Sequence, residues 1–169
     1  NRMYQLINDV IPSRGISQQI YKIITEMESV NKMEEDGILL NFKKMQHSHK
    51  SMGLIIPTLL LFDKSGRTIS DQKNLFKFFE YFISARQISD DLTDLDEDLK
   101  SGKRTYVTEK IFTKKIKKID NNLFIYMTQK ILNDCEKARM ISFKIFKKRF
   151  NLLEDIIFDY EIAVKEDLK

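Results

Sequence analysis

The sequence is poor in the residues that make turns and cross-links: 5 Gly, 2 Pro, 1 Cys and no Trp in 169 residues. Sandwiches and barrels need many tight turns, so an all-β fold is excluded. A lone thiol, Cys135, excludes an intrachain disulfide framework and a multi-cysteine zinc site, and its simplest role is that of a small buried hydrophobe. No apolar run approaches the ~18–20 residues of a membrane span. The longest, Gly53 to Phe62, is interrupted by Pro57. The excess of one charge is also small, +4 from 29 basic and 25 acidic residues, too little by itself to argue for nucleic acid. The chain opens without a signal peptide or an initiator Met. The expectation is therefore a fragment or processed chain in the cytoplasm.

What is abundant is Ile, Leu and Phe, mostly at three- and four-residue spacings, which indicates helices around one buried core. The pattern predicts helices over Arg2–Val10, Ile16–Glu35 and Ile38–Phe62, the last kinking or restarting at Pro57. A loop follows over residues 63–69. Ser70 is expected to cap a long helix that ends at Ser101-Gly102. Three more are expected over Thr108–Ile119, Asn121–Arg149 and Asn151–Lys165. The fold class is all-α, with residues 1–169 forming a single helical domain.

The informative stretch is the end of the long helix. Each helical residue advances by roughly 100°. On that wheel Gln87, Asp90, Asp91, Asp94, Glu97 and Asp98 occupy an arc of about 120°. Asp90, Asp94 and Asp98 stand at i, i+4 and i+8, stacked about 6 Å apart. Ile88, Leu92, Leu95 and Leu99 form the opposite, packing side. Like charges at this spacing destabilise an exposed helix by roughly 0.2–0.5 kcal/mol per pair. A divalent cation reverses the sign, because Mg²⁺ prefers hard oxygen ligands and completes its shell with waters and substrate phosphates. One to three turns earlier the same side carries Phe76, Phe79 and Ile83. A greasy cavity with a metal-lined mouth uses both halves of such a face. Lys100, Lys103 and Arg104 follow, placed to meet phosphate oxygens.

These residues resemble the second aspartate-rich motif of the squalene/phytoene synthase family of class I isoprenoid synthases. That motif has Gln, then Asn or Asp, an Asp four residues on, then Glu-Asp, a basic residue and Gly. Gln87, Asp90, Asp94, Glu97, Asp98, Lys100 and Gly102 fall at those spacings. Upstream, Lys50-Ser51-Met52-Gly53-Leu54 looks like a degraded form of the family's small-residue stretch, with Gly53 matching its last glycine. Ala-Arg-Gln-Ile-Ser-Asp-Asp looks like a bacterial group described as class I isoprenoid biosynthesis enzymes. Asp90-Asp91-Leu92-Thr93-Asp94 also satisfies the DDxxD pattern of chain-elongating prenyltransferases, but there the basic-basic-Gly that follows falls one residue earlier. The likeness covers about residues 45–108.

The resemblance implies an antiparallel helical bundle around a cavity and a Mg²⁺-dependent transferase or lyase that binds and ionises a prenyl diphosphate. It makes Asp90, Asp94 and Asp98 the catalytic metal ligands, with Asp91 and Glu97 assisting. Gln87, Lys103, Arg104, Tyr106, Gly53, Phe79 and Ile83 become the substrate contacts. One element of the family pattern has no counterpart. The first acidic motif is expected well before Gly53, and Glu26, Glu28, Glu34, Glu35 and Asp36 do not form it. The chain is then the C-terminal part of a larger domain, or a homo-oligomer in which another copy supplies the motif. The alternative is a non-catalytic helical interaction module.

The remaining features read more plainly. His47 and His49, at i and i+2 on a helix, point about 200° apart and cannot easily share one ion. Lys114, Lys115, Lys117 and Lys118 surround Ile111, Ile116 and Ile119 and read as a solvated face, with peripheral contact to an anionic membrane as the alternative. Lys144, Lys147, Lys148 and Arg149 lack the interleaved aromatics of a nucleic-acid surface, so no nucleic-acid partner is expected.

Overall fold

The computed structural model describes residues 2–11, 14–114 and 121–146, together with Glu154, Asp155, Phe158 and Ile162. These residues form helices and no strands. In chain order they are α1 (Arg2–Val10), α2 (Arg14–Glu35), α3 (Gln46–His49), α4 (Ile56–Lys64), α5 (Ile69–Thr93), α6 (Leu95–Ser101), α7 (Tyr106–Lys114) and α8 (Asn121–Phe146). Short 3-10 turns at Phe42–Lys44 and Met52–Ile55 flank α3. The expected helix over Asn151–Lys165 and the ends of those over Thr108–Ile119 and Asn121–Arg149 lie outside the described residues.

The glycines end helices as the sequence indicates. After α2 the chain turns at Gly37, φ +68°, where Gly37 N–H donates to Glu34 O and Ile38 N–H to Met33 O. After α6 the same arrangement recurs at Gly102, φ +71°, with Gly102 N–H to Leu99 O and Lys103 N–H to Asp98 O. Both are left-handed caps that a residue with a Cβ adopts only with strain.

Two helix starts differ from the expectation. Thr68, not Ser70, caps α5: its hydroxyl accepts from Asp71 N–H at 3.1 Å while Asp71 accepts from Thr68 N–H at 3.2 Å. Thr68 has the extended backbone that an N-cap requires, whereas Ser70 already lies in the first helical turn. Thr68→Ala is expected to cost about 1 kcal/mol, read as a fall in the urea midpoint. Likewise Thr105, not Thr108, precedes α7: Thr108 N–H donates to Thr105 Oγ1 at 3.2 Å, and Thr105 N–H donates to Thr108 Oγ1 at 2.8 Å.

The expected helix Ile38–Phe62 is instead a 3-10 turn at Phe42–Lys44 followed by α3 and α4, which a second 3-10 turn, Met52–Ile55, separates. Pro57 sits in the first turn of α4, where its missing N–H costs nothing. Met45 (φ 58°) is the left-handed corner between the first 3-10 turn and α3.

The core forms where α5 packs along α8. From α5 come Leu75, Phe78, Phe82 and Ile88; from α8 come Met127, Ile131, Cys135 and Ala138, all buried in one cluster. Phe78 and Phe82 stack with centroids 5.9 Å apart, and Phe146 meets Phe62 edge-on at 5.9 Å. On the expected packing side of the acidic stretch, Ile88 and Leu95 are buried, and Leu92 and Leu99 pack against the cluster. α3 and the Met52–Ile55 turn are wedged between α2 and α5. That wedge holds α2 and α5 apart and creates the clefts described next.

Candidate functional site

A cleft of about 510 Å³ opens between α2 and α5 and is lined by Met27, Lys50, Ser51, Gly53, Leu54, Ile83, Arg86, Gln87 and Asp90. This is the size range of small-ligand sites. Met27, Leu54 and Ile83 supply apolar surface; Lys50, Ser51, Arg86, Gln87 and Asp90 supply polar groups. Helical spacing explains the α5 side, since Ile83, Gln87 and Asp90 recur at intervals of four and three and so share one face. Gln87 Nε2 donates to Ser51 Oγ at 3.3 Å, tying the acidic helix to the residues before Gly53. Gly53 leaves room there: a Cβ on it would stand 3.4 Å from Met27 Sδ.

The acidic row is not the continuous stack that an ideal helix predicts. The long helix bends at Asp94, whose ψ of 7° departs from helical values. In the turn before it, Thr93 Oγ1 donates back to Ser89 O at 3.1 Å. Asp94 O then accepts from both Glu97 N–H and Asp98 N–H, starting α6 on a new axis. The five carboxylates diverge as a result. Asp90 reaches the cleft; Asp94 and Glu97 are exposed outside it.

Asp98 turns inward, only 4% exposed, with Oδ1 3.4 Å from Lys103 Nζ and Oδ2 buried without a partner. Asp91 Oδ2 accepts from Tyr106 N–H at 3.1 Å. Burial pushes the Asp91 carboxyl up to about 6, against the pull of nearby Lys50.

Expectation and structure also part over the basic residues. Lys103 is paired with Asp98, and that carboxylate raises its ammonium above its ordinary value against the effect of burial. Arg104 is bound to Glu109, Nε at 3.1 Å and Nη2 at 2.7 Å from the same oxygen. Neither lines the cleft. Of the apolar candidates only Ile83 lines it. Phe79 packs edge-on against Phe78 at 5.2 Å, and Phe76 lines a neighbouring cleft with Glu26, His49 and Glu80. Tyr106 is buried, stacked on His47 with centroids 6.0 Å apart, and burial raises its phenol well above the ordinary value. With Asp91 and Arg104 it borders a small enclosed polar space that Lys50 and Gln87 separate from the cleft.

Mg²⁺ was the cofactor that the sequence implied. Among the described residues no three His, Cys, Asp or Glu side chains converge as a metal cage. The residues therefore do not fit a Mg²⁺ ion held by the protein alone; one carboxylate, Asp90, is available at the cleft. No described helix is long and apolar enough to cross a membrane.

The residues of the cleft to which the sequence assigned no role are Met27, Lys50, Ser51, Leu54 and Arg86. Arg86 had a signal, since it stands four residues before Asp90 on the same helical face. Missed altogether was a buried polar chain in which His47 Nε2 bonds Ser84 Oγ at 2.7 Å and Ser84 donates to Asp134 Oδ2 at 2.7 Å. Lys130 Nζ pairs with the same oxygen. It joins α3, α5 and α8 across long sequence separations, which no local pattern announces. Because Ser84 gives its only proton to Asp134, His47 must donate, and no nucleophile is activated.

No protein-family profile, curated protein or solved structure matches this chain.

Proposed function

We propose that the chain is a class I isoprenoid synthase-like helical domain that binds a prenyl diphosphate in the cleft between α2 and α5. The observation that supports this reading is that Gly53, Gln87 and Asp90, three residues of the family resemblance, border one cleft together with the apolar Ile83. The isoprenoid tail would lie on Met27, Leu54 and Ile83, and the diphosphate at the rim. Asp90 repels a bare diphosphate, so it contributes only with a Mg²⁺ that the ligand brings, an ion that needs one or two carboxylates and takes the rest of its shell from water and phosphate. An apolar floor that excludes water once the tail covers it would protect an allylic cation from capture. Ionisation would further require the first acidic motif, from another copy or another segment.

The test is calorimetric titration with farnesyl thiodiphosphate, with and without Mg²⁺. The wild type is expected to bind in a Mg²⁺-dependent manner. Asp90→Asn is expected to weaken binding about ten- to a hundredfold, the range for losing one contact to a charged group. Asp94→Ala is expected to leave it unchanged, because Asp94 points away from the cleft. Absence of wild-type binding, or the same Mg²⁺ dependence in Asp90→Asn, would overturn the reading. A non-catalytic helical module is the second reading, favoured by the engagement of Asp91, Asp98, Lys103 and Arg104 within the chain. Absence of wild-type binding selects it.

A further inference from the structure

We propose that Arg86 is the anion-recognising group of the cleft between α2 and α5, the role that the sequence points toward Lys103 and Arg104. Both of those cations are committed elsewhere, to Asp98 and to Glu109. Arg86 is exposed, borders the cleft, and makes no ion pair or hydrogen bond among the described residues. The absence of a partner is informative because Asp90 stands one turn further along the same helical face, at the i, i+4 spacing where ion pairs form readily; the two nevertheless make no ion pair.

Lys50, on the wall opposite α5, is paired with Glu34 at 2.6 Å, both side chains mostly buried, so it is committed as Lys103 and Arg104 are. Of the charged groups bordering the cleft, Lys50, Arg86 and Asp90, the cation left without a carboxylate partner is Arg86. A guanidinium with free N–H groups matches two oxygens of one phosphate, which a lysine ammonium cannot do in one plane. The Ser51 hydroxyl and the Gln87 amide, already joined at 3.3 Å, lie in the same rim and add neutral polar contacts. The ligand class is then an organic phosphate or diphosphate whose anionic end meets Arg86 and whose apolar body covers Ile83. The apolar half of that statement rests on the function proposed above; the anion site does not.

Inorganic pyrophosphate is the probe for the site itself. Titrated calorimetrically at low salt without Mg²⁺, the wild type is expected to bind it. Arg86→Gln is expected to weaken it about ten- to a hundredfold, and Arg86→Lys by less, because the charge survives without the fork. Lys73→Gln, exposed on α5 and outside the cleft, is expected to bind as the wild type does. Thermal melting of Arg86→Gln is expected to match the wild type, since the side chain is exposed and unpaired. Equal pyrophosphate affinity in Arg86→Gln and wild type, or no binding by the wild type, overturns the proposal. If pyrophosphate binds through Arg86 but farnesyl thiodiphosphate binds no tighter, the anion site stands and the prenyl reading falls.

Discussion

Asp134→Ala is expected to destabilise the protein by about 1–3 kcal/mol, the cost of leaving the buried Ser84 hydroxyl without its acceptor. Asp134 is fully buried and accepts from Ser84 Oγ and Lys130 Nζ. Its removal strands the Ser84 hydroxyl, also fully buried, and then His47 behind it. His47 has no means of compensating. Burial, helped by Lys130, lowers its imidazole to about 4, so it is neutral above that pH. Its Nε2 donates to Ser84, and Nδ1 is a buried acceptor without a partner. Ser84→Ala should cost less, since Asp134 keeps Lys130. For a chain of this length each kcal/mol corresponds to roughly 2–4 °C in Tm. Urea denaturation of Asp134→Ala checks the figure; a loss below about 1 kcal/mol would mean that the network is dispensable.

The second large effect is in pH dependence and is carried by Asp91. Its carboxyl titrates at about 6 in the folded chain against 3.8 as a free side chain, chiefly because burial penalises the charged form. Between these values the folded protein binds a proton that the unfolded chain has released. Stability contributed by this group is therefore full below about pH 4 and is lost as pH rises through about 6, by roughly 3 kcal/mol in all. Asp91→Asn cannot ionise and its amide oxygen still accepts from Tyr106 N–H, so it should lack this fall. The difference in unfolding free energy between variant and wild type is expected to grow in favour of the variant from pH 4 to pH 6 and then stay level. Parallel stability–pH curves for the two proteins would show that Asp91 is solvated and that its burial contributes nothing.

The acidic segment illustrates what periodicity alone conveys. The wheel placed Ile88, Leu92, Leu95 and Leu99 on the packing side, and the core receives all four. It also placed Gln87 and Asp90 with Ile83, and these share one cleft. Its reach ends at Asp94. A wheel assumes one continuous helix, and α5 ends at Asp94, where α6 begins. Beyond the bend, Asp98 is swung inward to Lys103 while Glu97 stays in solvent. Arg104 was matched to phosphate by its type and place in the motif, yet Glu109 takes it first.

The helical class, the glycine-terminated ends of α2 and α6, and the side of α5 that enters the core are all legible in the order of residues. These follow from local rules: helical spacing, the steric freedom of glycine at positive φ, and burial of whichever face is apolar. Which charged groups pair with one another and which border the cleft unpaired depends on how the helices pack. Ion pairs and buried hydrogen bonds join residues brought together by packing, and their partners are set by which helices touch. Asp134 therefore finds Ser84, Asp98 finds Lys103, and Arg86 is left facing the opening.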